Sequence, residues 1–379
     1  MPLRRKTEPP LTPEESVPPA LKIAAAFSWR ILVVLGVVAV LVFLVIQFRY
    51  IVIPFLVAIL LGALLVPFVN FLRRHKWPKW LAVAVAMLGT LGIVAGLIVL
   101  VVAQVRAGYP DLQDKTVQAY DDLRAWLAES PLHLSESDIN AYIGQLWETL
   151  QRDGSVLWTG ALEAGSTAGH VLAGFLLTLF ATLFILIDGR RIWTWIVGLF
   201  PRRARQAVAG SGEAGWITLT TFVKVQIFVA FVDAVGIGLG AWILGLFYGG
   251  FPLVIPIAVA VFLGSFIPVV GALVTGTLAV FVALVYLGPI PAVIMLGIVL
   301  LVQQVEGHVL QPLVLGTAVK VHPLAVVFAV AAGSFTAGIA GALFAVPVVA
   351  VLNVMVKYLA DGGWRTTPHP TAQDVLPNA

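Results

Sequence analysis

Apolar side chains run along this chain in long blocks, not in strand-like alternation. Residues 27–47, 50–69, 81–105 and 168–187 each form a run long enough to cross a bilayer as a helix, which takes about 20 residues. A fifth run covers 225–247, behind a mixed stretch at 216–224 that reads as interfacial. Residues 290–305 supply a further crossing. The first run is full length, so it reads as a retained membrane helix and not as a cleaved leader.

Polar sequence is concentrated in three places. A Pro-rich tail at 1–26 and a tail at 359–379 read as disordered and cytoplasmic. Between them, 106–166 is the one sizeable polar region. Within it, Ile139, Tyr142, Ile143, Leu146, Trp147 and Leu150 repeat at amphipathic-helix spacing, with a weaker version from Pro110 to Glu129. The expected organisation is membrane spans at 27–105, a small helical extracytoplasmic domain at 106–166 and a second membrane core at 167–358.

Composition narrows the class. Of 379 residues, 60% are hydrophobic and 11% charged, where a soluble domain carries about a quarter charged residues. A conventional soluble enzyme is excluded. The chain has no cysteine, which removes thiol catalysis, thiolate metal sites and disulfides.

The distribution of charge sets the topology. Lys and Arg number five in the tail and first span start, four after the second span and five after the fourth. Region 106–166 instead carries 4 basic and 10 acidic side chains. By the positive-inside rule both termini are expected in the cytoplasm.

The last third repeats itself. Pro252-Leu253, Gly264-Ser265-Phe266, Gly271-Ala272-Leu273 and Tyr286-Leu287 are echoed by Pro323-Leu324, Gly333-Ser334-Phe335, Gly341-Ala342-Leu343 and Tyr358-Leu359. Each copy loses its helix signal midway: Pro268 lacks an N–H, and Gly264, Gly271, Gly338 and Gly341 weaken continuity. Two geometries fit, paired re-entrant hairpins or single kinked spans, and they place 306–322 on opposite sides of the membrane. Irregular backbone at membrane depth persists only where protein or a water-filled cavity satisfies it. Broken helices in matched positions point to a transporter binding site.

Candidate chemistry follows from polar groups inside apolar runs. A charge at mid-bilayer costs about 2.5–3.5 kcal/mol even on the lenient scale. Asp233 is the clearest case, suited to binding a proton, a cation or substrate hydroxyls. Lys224 and Gln226 precede it by nine and seven residues, near whole turns, so all three are expected on one face. Gln303, Gln304, Glu306 and His308 cluster at a helix end and suit a gate or a substrate cradle.

These residues carry a resemblance. Phe262-Leu263-Gly264-Ser265-Phe266-Ile267-Pro268-Val269-Val270-Gly271 resembles the Ile-Pro-x-x-Gly signature of the autoinducer-2 exporter (AI-2E) family. Gln303-Gln304-Val305-Glu306-Gly307-His308-Val309-Leu310-Gln311-Pro312, followed by Gly316, resembles its Gln-x-x-Glu-Gly-Asn-x-Leu-x-Pro…Gly stretch, with His308 where Asn is common. His322-Pro323-Leu324 and the run from Gly338 to Pro347 complete the likeness. It implies an all-α, polytopic secondary transporter of about eight membrane segments, oligomeric, exporting autoinducer-2 or exchanging sodium for protons.

Absent motifs sharpen the expectation. No G-x-x-x-x-G-K-[ST] and no H-E-x-x-H occur, so neither an ATPase nor a zinc protease is expected, and no cofactor, metal, nucleotide or nucleic-acid partner. The expected partners are a small polar solute or a monovalent cation, membrane lipid and further copies of the chain. An oligomeric membrane scaffold without transport activity is the alternative of another class.

Overall fold

The computed structural model describes residues 18–129, 169–267, 270–308 and 322–375. Every regular element among them is a helix. Eleven follow in order: α1 Pro19–Gln47, α2 Arg49–Arg74, α3 Lys79–Glu129, α4 Gly169–Gly198, α5 Arg205–Tyr248, α6 Val254–Gly264, α7 Val270–Leu287, α8 Pro289–Val305, α9 Pro323–Ala360, α10 Gly363–Thr366 and α11 Ala372–Val375. Among the described residues seven helical stretches have the length and apolarity to cross a membrane, counting α9 across its break, as expected of an all-α polytopic membrane protein. The chain divides into two units, 1–52 and 53–379.

In the first unit α1 starts on Pro19, whose missing N–H costs nothing at a helix start. Apart from Lys22, Ser28, Arg30 and Gln47 its side chains are apolar, and the described ones are exposed on every side. Such a helix suits lipid as its solvent.

In the second unit α5 is the central element. Its 44 residues form one continuous helix, so the stretch 216–224 is no separate interfacial segment, and the Gly210-Ser211-Gly212 run lies within the helix. Burial against neighbours overrides the low propensity of those residues: Gly210, Ser211, Gly215 and Thr218 are all buried. A Cβ at Gly215 would lie 3.1 Å from Met355 and Val351 of α9.

The polar region departs from expectation at its start. Helix α3 runs 51 residues without a break, about 76 Å at 1.5 Å per residue. The weaker amphipathic pattern from Pro110 to Glu129 therefore continues the third span as one rod. The second amphipathic pattern, 139–150, lies outside the described residues.

Both repeat copies turn back on themselves. In the first, α6 has 11 residues and α7 has 18, and the backbone of Gly264 meets that of Gly271 with no room for a Cβ between them. In the second, α9 breaks at Ala337 and Gly338. Gly338 takes φ 60°, ψ −141°, a region open to glycine and costly to other residues. The two arms then close on each other through Gly333 and Gly341, again backbone on backbone. The matched glycines of the sequence repeat are thus matched in space. Of the two geometries the sequence left open, the structure has the hairpins.

The hairpins reach α5 from opposite ends. The first follows the C-terminal end of α5, whose αL cap is Gly249, and packs on Ala234, Ile237, Ala241 and Leu244 through Ile257 and Val261. The second packs Val330, Ala342 and Val346 against Leu219, Phe222 and Val223. Ile267, at the turn of the first hairpin, packs in this second cluster.

The tail beyond α9 was expected to be disordered. Its part up to 375 instead carries α10 and α11 and folds back along α5. Tyr358 Oη donates to the carbonyl of Thr367 at 2.6 Å, and His369 Nδ1 lies 3.1 Å from Glu213 Oε2. Asp374 accepts from the N–H and hydroxyl of Thr371 at 2.7 and 2.6 Å, which holds its carboxyl below the usual range. A polar, Pro-rich composition gave no sign that these contacts would fix it.

Candidate functional site

Three elements meet around Asp233. It lies on the inner face of α5 and is 1% exposed, although bare burial of a carboxylate is strongly unfavourable. Its Oδ2 lies 3.0 Å from Ser265 Oγ, just past the end of α6. Gln226, two turns earlier on α5, donates its Nε2 to the backbone carbonyl of Ser265 at 2.6 Å. Two side chains of α5 therefore grip one residue at the open end of a broken helix. Gln226 supplies the donor that the terminal carbonyl lacks.

The hydroxyl of Ser265 is oversubscribed. It also lies 2.8 Å from the carbonyl of Val261, and a serine has one hydrogen to give. With Asp233 ionised, only one of the two acceptors is served. When Asp233 carries a proton on Oδ2, it donates to Ser265, and Ser265 donates to Val261. Asp233 Oδ1 is buried with no hydrogen-bond partner among the described residues. Among the described residues the site is short of a donor, which an added proton, cation or donor group would help to supply.

A second carboxylate faces the first. A Cβ at Gly240 would lie 2.5 Å from Ile298 Cγ2, and one at Gly236 would lie 2.9 Å from Val302 Cγ2. Helices α5 and α8 thus run antiparallel in close contact, made possible by the small residues of α5. One more turn in the same register sets Asp233 opposite Glu306, within reach of its charge. Glu306 begins a wider, π-type turn at 306–308, a distortion frequent at functional sites.

The other predicted residues divide. Gln303 is half-buried on the side of Glu306, whereas Gln304 and His308 are exposed, with His308 Nδ1 3.3 Å from the carbonyl of Gln304. Lys224 is not on the face of Asp233. Nine residues make two and a half turns of a 3.6-residue helix, so Lys224 points the opposite way and lines a separate cavity. Gln226, at seven residues, is correctly in phase. Gly264, Gly271, Gly338 and Gly341 all sit at the hairpin turns or crossings, and Pro268 lies outside the described residues.

Ser265 was missed as a site residue. It stands inside the quoted motif, and its counterpart Ser334 makes the same bond to the carbonyl four residues back, at 2.8 Å. A hydroxyl retained at the same place in both apolar copies was the available signal. Among the described residues no cluster of three or more His, Asp or Glu gathers to hold a metal.

Comparison with known proteins agrees with this architecture. A family model described as AI-2E family transporter matches residues 31–361. A candidate transport protein of Mycobacterium tuberculosis, MT0215, is 40% identical over 349 residues, covering 92% of this chain and 94% of that one. The AI-2 transport protein TqsA of Escherichia coli is 23% identical over 316 residues, with 82% and 87% covered. The chain belongs to the AI-2E family of membrane transporters.

Proposed function

We propose that this chain is a secondary transporter that exports a small polar solute of the autoinducer-2 kind across a bacterial inner membrane. Export is coupled to protons or monovalent cations that bind at Asp233. The observation that carries this reading is the unsatisfied contact between Asp233, Ser265 and Val261. A carboxylate short of one donor gains most from a passing proton or cation, and that ion then changes how firmly α5 holds the hairpin.

The two hairpins give the reading its mechanical side. They approach α5 from opposite ends and turn near one another, so loosening one end of the pair opens one side of the site. Open helix ends in these hairpins leave backbone carbonyls and N–H groups for a hydroxyl-rich solute. The relative named for AI-2 transport supports the choice of solute class.

A second reading, sodium–proton antiport, is favoured by the opposed carboxylates Asp233 and Glu306. Two facing acids and a serine oxygen make a coordination set for a small hard cation.

Reconstitution tests both. In proteoliposomes with an imposed proton gradient, autoinducer-2 flux that saturates and stops on adding a protonophore supports solute export. Proton movement evoked by sodium alone supports antiport. Neither flux leaves the scaffold alternative, which would survive neutralising Asp233 and Glu306 and fail on deleting 106–166.

A further inference from the structure

Near the C-terminal segment, α2 and α5 border an open cavity of about 470 Å³, away from the Asp233 face. Its polar lining comes from Asn70 and Arg74 of α2 and from Thr220, Thr221 and Lys224 of α5. Trp216 and Phe71 contribute an apolar wall, and Ala372 of α11 borders it. The lining holds two cations and no carboxylate.

Arg74 and Lys224 make no ion pair or hydrogen bond among the described residues, and the hydroxyl of Thr220 is buried without one. Asn70, Arg74 and Lys224 are exposed and reach the cavity from solvent, while the Thr220 hydroxyl would turn to join them. Two cations beside one space, with no carboxylate between them, favour an anion with several acceptor oxygens. A planar guanidinium, a mobile ammonium, two hydroxyls and an amide form a donor set matched to a phosphate group. A carboxylate, with two oxygens, would leave more of these donors idle.

We propose that this cavity binds a phosphate-bearing anion, held by Arg74 and Lys224 with Thr220, Thr221 and Asn70 donating to its oxygens. The chemistry fits a phospholipid headgroup or a free phosphate. The apolar wall would take the glycerol and first methylenes of a lipid. This site is independent of the ion chemistry at Asp233.

The test uses the full-length chain in detergent. One arm measures phosphatidylglycerol retained by the protein in native mass spectrometry, with phosphatidylcholine as the neutral comparison. The other measures the shift in melting temperature with inorganic phosphate against chloride at equal ionic strength. Substituting Arg74→Gln with Lys224→Gln is expected to reduce binding at least tenfold in whichever arm responds, the arm naming the source. Thr220→Val removes the buried hydroxyl at constant charge and shape, and is expected to weaken binding several-fold; it carries the test if the double variant fails to fold. No binding in either arm, or binding unchanged in the variants that fold, overturns the proposal.

Discussion

Asp233 and Ser265 share a bond that a single hydrogen cannot complete. Ser265 Oγ stands 3.0 Å from the carboxylate and 2.8 Å from the carbonyl of Val261. Removing the hydroxyl by Ser265→Ala deprives the ionised carboxylate of its one donor among the described residues. A hydrogen bond to a charged group is worth about 1.5–3 kcal/mol, so transport should fall by about tenfold or more while protein abundance in the membrane holds. Unchanged flux in Ser265→Ala would detach the hairpin from the mechanism.

The register that sets Glu306 opposite Asp233 can be tested directly, because the chain has no cysteine of its own. A Cβ at Gly236 lies 3.9 Å from Val302 Cβ, within the range of about 3.5–4.5 Å that a disulfide spans. The pair Gly236→Cys and Val302→Cys should cross-link under mild oxidation in native membranes, read as joined fragments after cleavage between α5 and α8. Absence of the cross-link in a folded variant contradicts the antiparallel contact.

The hairpin crossings leave no space for a side chain. Gly271→Ala and Gly341→Ala each drive a methyl into a backbone carbonyl, and overpacking of this kind costs about 1–3 kcal/mol. Both should melt lower in detergent, by several degrees. Gly297→Ala, on α8 with nothing within 4 Å of its Cβ, should melt as the wild type or slightly higher.

The folded C-terminal segment should come loose at low pH. Asp374 titrates below the ordinary carboxylate range because of its two bonds from Thr371. A depressed folded-state pKa gives stability that is present above the unfolded value and lost as pH falls through the folded one. Limited proteolysis within 361–375 should therefore be slow at neutral pH and accelerate below about pH 4, near the reference Asp value. Tyr358→Phe, which deletes the bond to Thr367, should accelerate it at neutral pH as well.

The sequence was informative where one helix or one repeat settled the matter. Apolar runs mark the spans because lipid demands them. Asp233 stood out because a carboxylate between Ala, Val and Gly is costly, and the paired Gly-Ser-Phe and Gly-Ala-Leu motifs foreshadowed two turning elements. The partners of those residues depend on how helices meet, and sequence spacing carries that only through careful phase. Seven residues put Gln226 beside Asp233; nine put Lys224 on the far side. The length of α3 and the anchored tail were not legible, since a polar run looks alike whether it is solvated, continues a helix or docks on one.

The account turns on Asp233 exchanging a proton or cation during each transport cycle. Asp233→Asn keeps the shape of the side chain and supplies a permanent donor, so the hairpin stays held and nothing is exchanged. In proteoliposomes with the proton gradient clamped, wild-type protein should drive saturable, gradient-dependent flux, and Asp233→Asn should give flux at the level of empty vesicles with equal protein incorporated. Gradient-driven flux at the wild-type rate in Asp233→Asn would contradict it.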